Sequence, residues 1–83
     1  MKLNYKDNNG PVDAAIEDLI HVAGGVRRPR VLREMILAAL KAGQEDDGGV
    51  DLIMMNTSLK EMRYTAKVFG EYNRFKKVTV FGS

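Results

Sequence analysis

Between residues 50 and 69, apolar side chains recur at Leu52, Met55, Leu59, Met62, Ala66 and Phe69, separated alternately by three and four positions. That spacing belongs to a helix with one buried seam, and the two-residue alternation of a strand cannot produce it. Asp51 suits the N-cap, where a carboxylate accepts from an unpaired backbone N–H. Gly70 stands where a left-handed residue would end the helix. The pattern therefore predicts a helix over 51–69. Ile53, Met54, Tyr64 and Val68 fall on roughly the opposite side, so two surfaces are expected to pack against it. One is the first two helices, and the other is a partner subunit or a further domain.

Upstream, the pattern predicts two shorter helices. The first, over 12–24, opens near Pro11, which is favoured at the first helical position, and Asp13 fits its first turn. Its apolar face is Ile16, Leu19, Ile20 and Ala23, and Gly24-Gly25 stops it. The second, over 30–42, follows Pro29 and ends at Gly43. Its stripe is Leu32, Met35, Ile36, Ala39 and Leu40, with Val31, Leu37 and Ala38 off it. Because 35–40 is apolar nearly all round, this helix is expected to be covered on more than one side. The predicted core is Ile16, Leu19, Ile20, Leu32, Met35, Ile36, Leu40, Leu52, Met55, Leu59, Met62 and Phe69. Residues 1–11 read as an irregular lead-in with a turn cluster at Asp7-Asn8-Asn9-Gly10. Leu3 and Tyr5 alternate with polar neighbours, which admits a very short strand.

The last residues change character. Phe75 to Phe81 (FKKVTVF) is rich in β-formers, with Val78 and Val80 on one face and Thr79 and Phe81 on the other. A strand over 77–81 is expected, yet a single strand cannot pair its own backbone. It pairs in trans, pairs weakly with 3–5, or frays.

Composition narrows the chemistry. With 83 residues the chain amounts to one small domain at most. The absence of cysteine removes disulfides and thiolate metal sites. A formal net charge of +2 does not by itself argue for nucleic acid. There is no long apolar run and no secretory leader at the N-terminus, so a soluble cytoplasmic protein is expected. Arg27, Arg28, Arg30 and Arg33 form a basic cluster, which could meet phosphate or nucleic acid. It lacks the interleaved aromatics of a stacking surface. Cations at a helix start also oppose the helix dipole, which suggests that some of these arginines meet an acidic group. The single histidine, His21, lies off the apolar face with no second ligand spaced to help it. The loop Gln44-Glu45-Asp46-Asp47-Gly48-Gly49 lacks the oxygen-ligand spacing of a calcium loop. No catalytic residue, metal site or cofactor is expected of this chain.

The run Leu59-Lys60-Glu61-Met62-Arg63-Tyr64-Thr65-Ala66-Lys67-Val68-Phe69, then Tyr72, then Lys76-Lys77-Val78-Thr79-Val80-Phe81-Gly82-Ser83, resembles a segment of the LOG-like family. Members of that family are Rossmann-type nucleotide-binding proteins once labelled lysine decarboxylases. Characterised members are similar to phosphoribohydrolases that release a base from a nucleoside 5′-monophosphate. The resemblance covers about the last third of the chain. It implies that 77–81 is the first strand of an α/β domain and that Gly82 and Ser83 match its first phosphate-facing loop, a cofactor-binding role that has meaning only within a complete domain. The family's glycine-rich motifs, which carry phosphate binding and the catalytic Glu and Arg, are absent from these residues.

The expected fold is thus mainly α, a three-helix module with a short C-terminal strand. Its parts are a lead-in over 1–11, a helical extension over 12–72, and the start of a truncated Rossmann-like domain over 73–83. The expected function is that of a non-catalytic fragment serving packing and subunit association, with a second copy or the missing Rossmann domain as partner. The alternative is a small helical module that contacts nucleic acid or phosphate through the arginine cluster, and nucleic acid is the less favoured partner. Neither reading needs a membrane.

Overall fold

The computed structural model describes residues 1–6, 8–48 and 51–81, with side chains as far as Tyr72. Three helices occur in order: α1 (Pro11–Ala23), α2 (Pro29–Glu45) and α3 (Asp51–Phe81). They form two compact units, Met1–Asp47 and Gly48–Ser83. The mainly helical fold class is as expected. No helix among the described residues is long and apolar enough to cross a membrane.

In the first unit, proline opens both helices, at the position where a missing N–H is no loss. Gly24 and Gly25 link the helices at φ 72° and 67°, conformations that glycine adopts without a Cβ penalty. The core is Leu3, Ile16 and Leu37, flanked by Val12, Ile20 and Ile36. On α1 the inward line is therefore Val12, Ile16 and Ile20, at intervals of four, and Leu19 of the predicted core is exposed.

On α2 the packing departs from the predicted stripe by about one residue of rotation, or about 100°. Leu37, expected off the stripe, is fully buried at 0% exposure, and Arg33 one turn earlier is buried with it. Leu40, expected inside, is 43% exposed, and Met35 and Val31 are exposed too. The buried residues of α2 are Arg33 and Leu37. The physical reason is the charge at Arg33, which is pulled inward by acceptors in the lead-in and carries the Arg33–Leu37 side of the helix with it. The lead-in is itself part of the core. Leu3 is buried in irregular backbone, and no strand forms at 3–5.

In the second unit α3 is longer than predicted. It passes through Gly70 instead of ending there. A glycine inside a helix costs only about 1 kcal/mol relative to alanine. Gly43 is likewise inside α2 and does not end it. The stretch 77–81, for which a strand is expected, is assigned to the last part of α3, and its side chains lie outside the described residues. A helix pairs its amides within the segment, whereas a strand without neighbours leaves them open. No strand occurs among the described residues. Gly82 and Ser83 lie outside them.

Two substitutions test this fold. Leu37→Ala is expected to destabilise the first unit by about 2–5 kcal/mol, while Leu40→Ala stays near neutral, as read by thermal melts in circular dichroism. A larger loss at Leu40 than at Leu37 would mean that the helix sits in the predicted register instead. Gly70 has no positive φ and nothing within 4 Å of an added Cβ. Gly70→Ala should therefore add about 0.5–1 kcal/mol to the helix and raise ellipticity, and a loss of helicity would place a break at residue 70.

Candidate functional site

Among the described residues, side-chain hydrogen bonds concentrate on Asn9, Asp13 and Arg33. Asp13 stands at the third position of α1, where an acidic side chain can turn back to the unpaired amides before the helix. One carboxylate oxygen accepts from the backbone N–H of Asn9 at 2.7 Å and of Asn8 at 2.9 Å. The other accepts from Asn9 Nδ2 at 2.9 Å and from Arg33 Nη2 at 2.7 Å. Asn9 is buried and uses both ends of its amide. Its Oδ1 accepts from the Asn4 N–H, and its Nδ2 also donates to the carbonyls of Asn4 and Lys6. Arg33 donates further to Tyr5 O at 2.9 Å and Lys6 O at 3.1 Å. Two turns on, Lys41 Nζ donates to Leu3 O at 2.9 Å and sits 5.4 Å from the centre of the Tyr5 ring.

These contacts tie the lead-in to both helices. They also set the electrostatics. The Asn9 side-chain amide, then the Asn9 and Asn8 backbone amides, and also Arg33, hold the Asp13 carboxyl well below the usual carboxylate range against the opposing effect of burial. A carboxylate stabilised this strongly in its charged form is a poor proton donor or acceptor near neutral pH. The cluster is a structural clamp, and no buried side-chain nitrogen or oxygen among the described residues is left unpaired.

The predicted arginine cluster is thereby divided. Arg33 turns inward to an acid of its own chain, while Arg27, Arg28 and Arg30 remain exposed. Arg28 is held in a left-handed conformation, φ 54° and ψ 58°, immediately before Pro29, which disfavours right-handed helical backbone in its predecessor. An open groove of about 420 Å³ lies between α1 and α2, lined by Glu17, Ile20, His21, Pro29, Arg30 and Arg33. It mixes both signs of charge, and it presents no nucleophile with an adjacent base. His21 is exposed on the last turn of α1. Among the described residues no three His, Asp or Glu side chains gather as metal ligands. The predicted phosphate-facing pair, Gly82 and Ser83, lies outside the described residues.

The other distinctive surface belongs to α3. Of its seam, Met55 is 50% exposed, Leu59 48%, Met62 66% and Phe69 59%. Leu52 is half-buried, and Ile53, Met54, Tyr64 and Val68 on the other side are exposed. The five seam residues counted in the predicted core therefore do not supply a buried one here.

Asp13 is legible in the sequence as a first-turn acid, and Asn8, Asn9 and Gly10 belong to the expected turn cluster over 7–10, but their union with Arg33 is not legible. The available signal is the i, i+4, i+8 line of Arg33, Leu37 and Lys41, which shares one face of α2. Two cations on that line make it read as solvent-facing. Compared with protein-family models, curated proteins and solved structures, the chain matches none of them.

The depressed Asp13 pKa has a signed consequence. Its contribution to stability is present above the unfolded carboxylate value of about 3.9 and is lost as pH falls through the lower folded value. Asp13→Asn should melt below the parent chain at pH 7, and the gap should narrow as pH drops under about 4; a gap that stays constant with pH would contradict the clamp. Arg28→Gly should raise stability by about 0.5–1 kcal/mol by relieving the left-handed residue, as measured by urea unfolding. A decrease would show that the arginine side chain supports the turn.

Proposed function

We propose that this chain is a non-catalytic helical module whose role is association, in the setting of a LOG-like nucleotide-binding protein. The observation that carries the reading is the open apolar surface of α3, which includes Met55, Leu59, Met62 and Phe69. Four large apolar side chains on one helical line, each about half exposed or more, are unfavourable in water and favour a partner. The first unit contributes stability and a fixed lead-in. Its polar centre is closed on itself and offers nothing to a substrate.

In this setting the residues over 77–81 take the strand form when a sheet is present to pair with them, and Gly82 and Ser83 form part of a phosphate-facing loop there. The family itself rests on the resemblance in the last third of the chain, and the association role rests on α3. A second reading draws on the exposure of Arg27, Arg28 and Arg30 and takes them as a phosphate or nucleic-acid contact. Glu17, which lines the same groove as Arg30, weakens that field.

The test is sedimentation equilibrium at micromolar to hundred-micromolar concentration. The chain is expected to self-associate, and Leu59→Asp is expected to return it to monomer while the signals of the first unit persist, because an unpaired charge would be buried in the seam. A parent chain that is monomeric throughout, with Leu59→Asp unchanged in size and melting temperature, would refute the association role.

A further inference from the structure

The seam on α3 has a more specific form than general greasiness. Its spacing is that of a heptad, with Leu52, Leu59 and Ala66 at one core position and Met55, Met62 and Phe69 at the other. Ile53, Met54, Tyr64 and Val68 follow no such alternation, so only one side of α3 is patterned for a single long helix. Resting on the association reading above, we propose that this seam pairs with the same seam of a second copy, antiparallel, about a two-fold axis passing between Leu59 and Met62.

Three features favour this occupant. The first is volume. Antiparallel pairing about that axis sets Leu52 against Phe69, Met55 against Ala66 and Leu59 against Met62, so each layer joins side chains that together fill it. Parallel pairing in register would stack Ala66 on Ala66 beside Phe69 on Phe69, a gap next to a crowded layer. The second is the helix dipole. The antiparallel arrangement opposes the two dipoles, and at the seam's edges, where Arg63 lies near Asn56 and Ser58 near Thr65, it sets no like charges against each other. The third is area. The residues 52–69 extend about 27 Å along the helix. Large apolar side chains present on the order of 150–200 Å² each. Covering the open part of Met55, Leu59, Met62 and Phe69 in two copies, with their flanks, removes on the order of 1,000 Å², the lower bound of a specific interface. The pairing is isologous and closes as a dimer.

The chain has no cysteine, so single-cysteine variants report proximity cleanly. Leu52→Cys and Phe69→Cys chains are mixed in equal amounts at about 100 µM and bridged with a short bifunctional thiol reagent. The mixture is expected to give a covalent heterodimer. Either variant alone is expected to give little, because its two cysteines would lie about 25 Å apart along the axis. Met55→Cys with Ala66→Cys forms the equivalent pair should an end position lose helicity in circular dichroism. Self-linking of Phe69→Cys alone would overturn the antiparallel arrangement in favour of a parallel one. A dimer in sedimentation that neither pair can link would overturn this seam while leaving association through another surface. A monomer would overturn both this proposal and the reading on which it rests.

Discussion

The guanidinium of Arg33 holds the first unit together, and much else follows from how it is satisfied. It reaches two backbone carbonyls of the lead-in and one oxygen of Asp13, so three separate stretches of chain meet at one planar cation. An arginine fork is suited to this, because its donors are fixed in a plane and its charge is permanent. Asp13 in turn is shared between Arg33 and the amides that precede α1. Asn9 occupies the space between them and leaves neither end of its amide open. Among the described residues the buried apolar side chains are Leu3, Ile16 and Leu37, a small core for a chain of this length. The polar clamp adds order to it, fixing which residue of the lead-in meets which turn of each helix.

The same interaction explains the register of α2. Hydrophobic periodicity placed Leu32, Met35 and Leu40 inward and left Leu37 out. Arg33 reverses this, because a helix that brings residue 33 to the lead-in must bring residue 37 as well, one turn along the same face. Leu37 then fills the space against Leu3 and Ile16, and Lys41, another turn on, meets Leu3 O and the Tyr5 ring. Charged residues on the inner line are tolerated because each finds acceptors there.

The starts of α1 and α2 are legible from Pro11 and Pro29, and the start of α3 from the seam. Ile16 was legible as core because its surroundings follow the ordinary rule of apolar inside. Leu37 was not, because its placement depends on a long-range ion pair twenty residues apart in sequence. Asp13 was visible as a helix-start acid, while its second partner was hidden for the same reason. The ends of α2 and α3 lie beyond the expected stops at Gly43 and Gly70, where glycine has ordinary helical backbone and makes no left-handed stop. Local chemistry was readable, and the fold departed from it where a cation chose a distant acceptor.

The two units thus differ in kind. The first satisfies its polar groups and encloses its few core residues within 1–47, whereas α3 in the second carries a patterned apolar line that is largely open to water. Backbone hydrogen exchange at two protein concentrations, about 5 and 500 µM, addresses this difference most directly. The account predicts that protection over 52–69 rises with concentration while protection in α1 and α2 stays the same. Protection over 52–69 that is equally strong at both concentrations in a monomeric chain would contradict it.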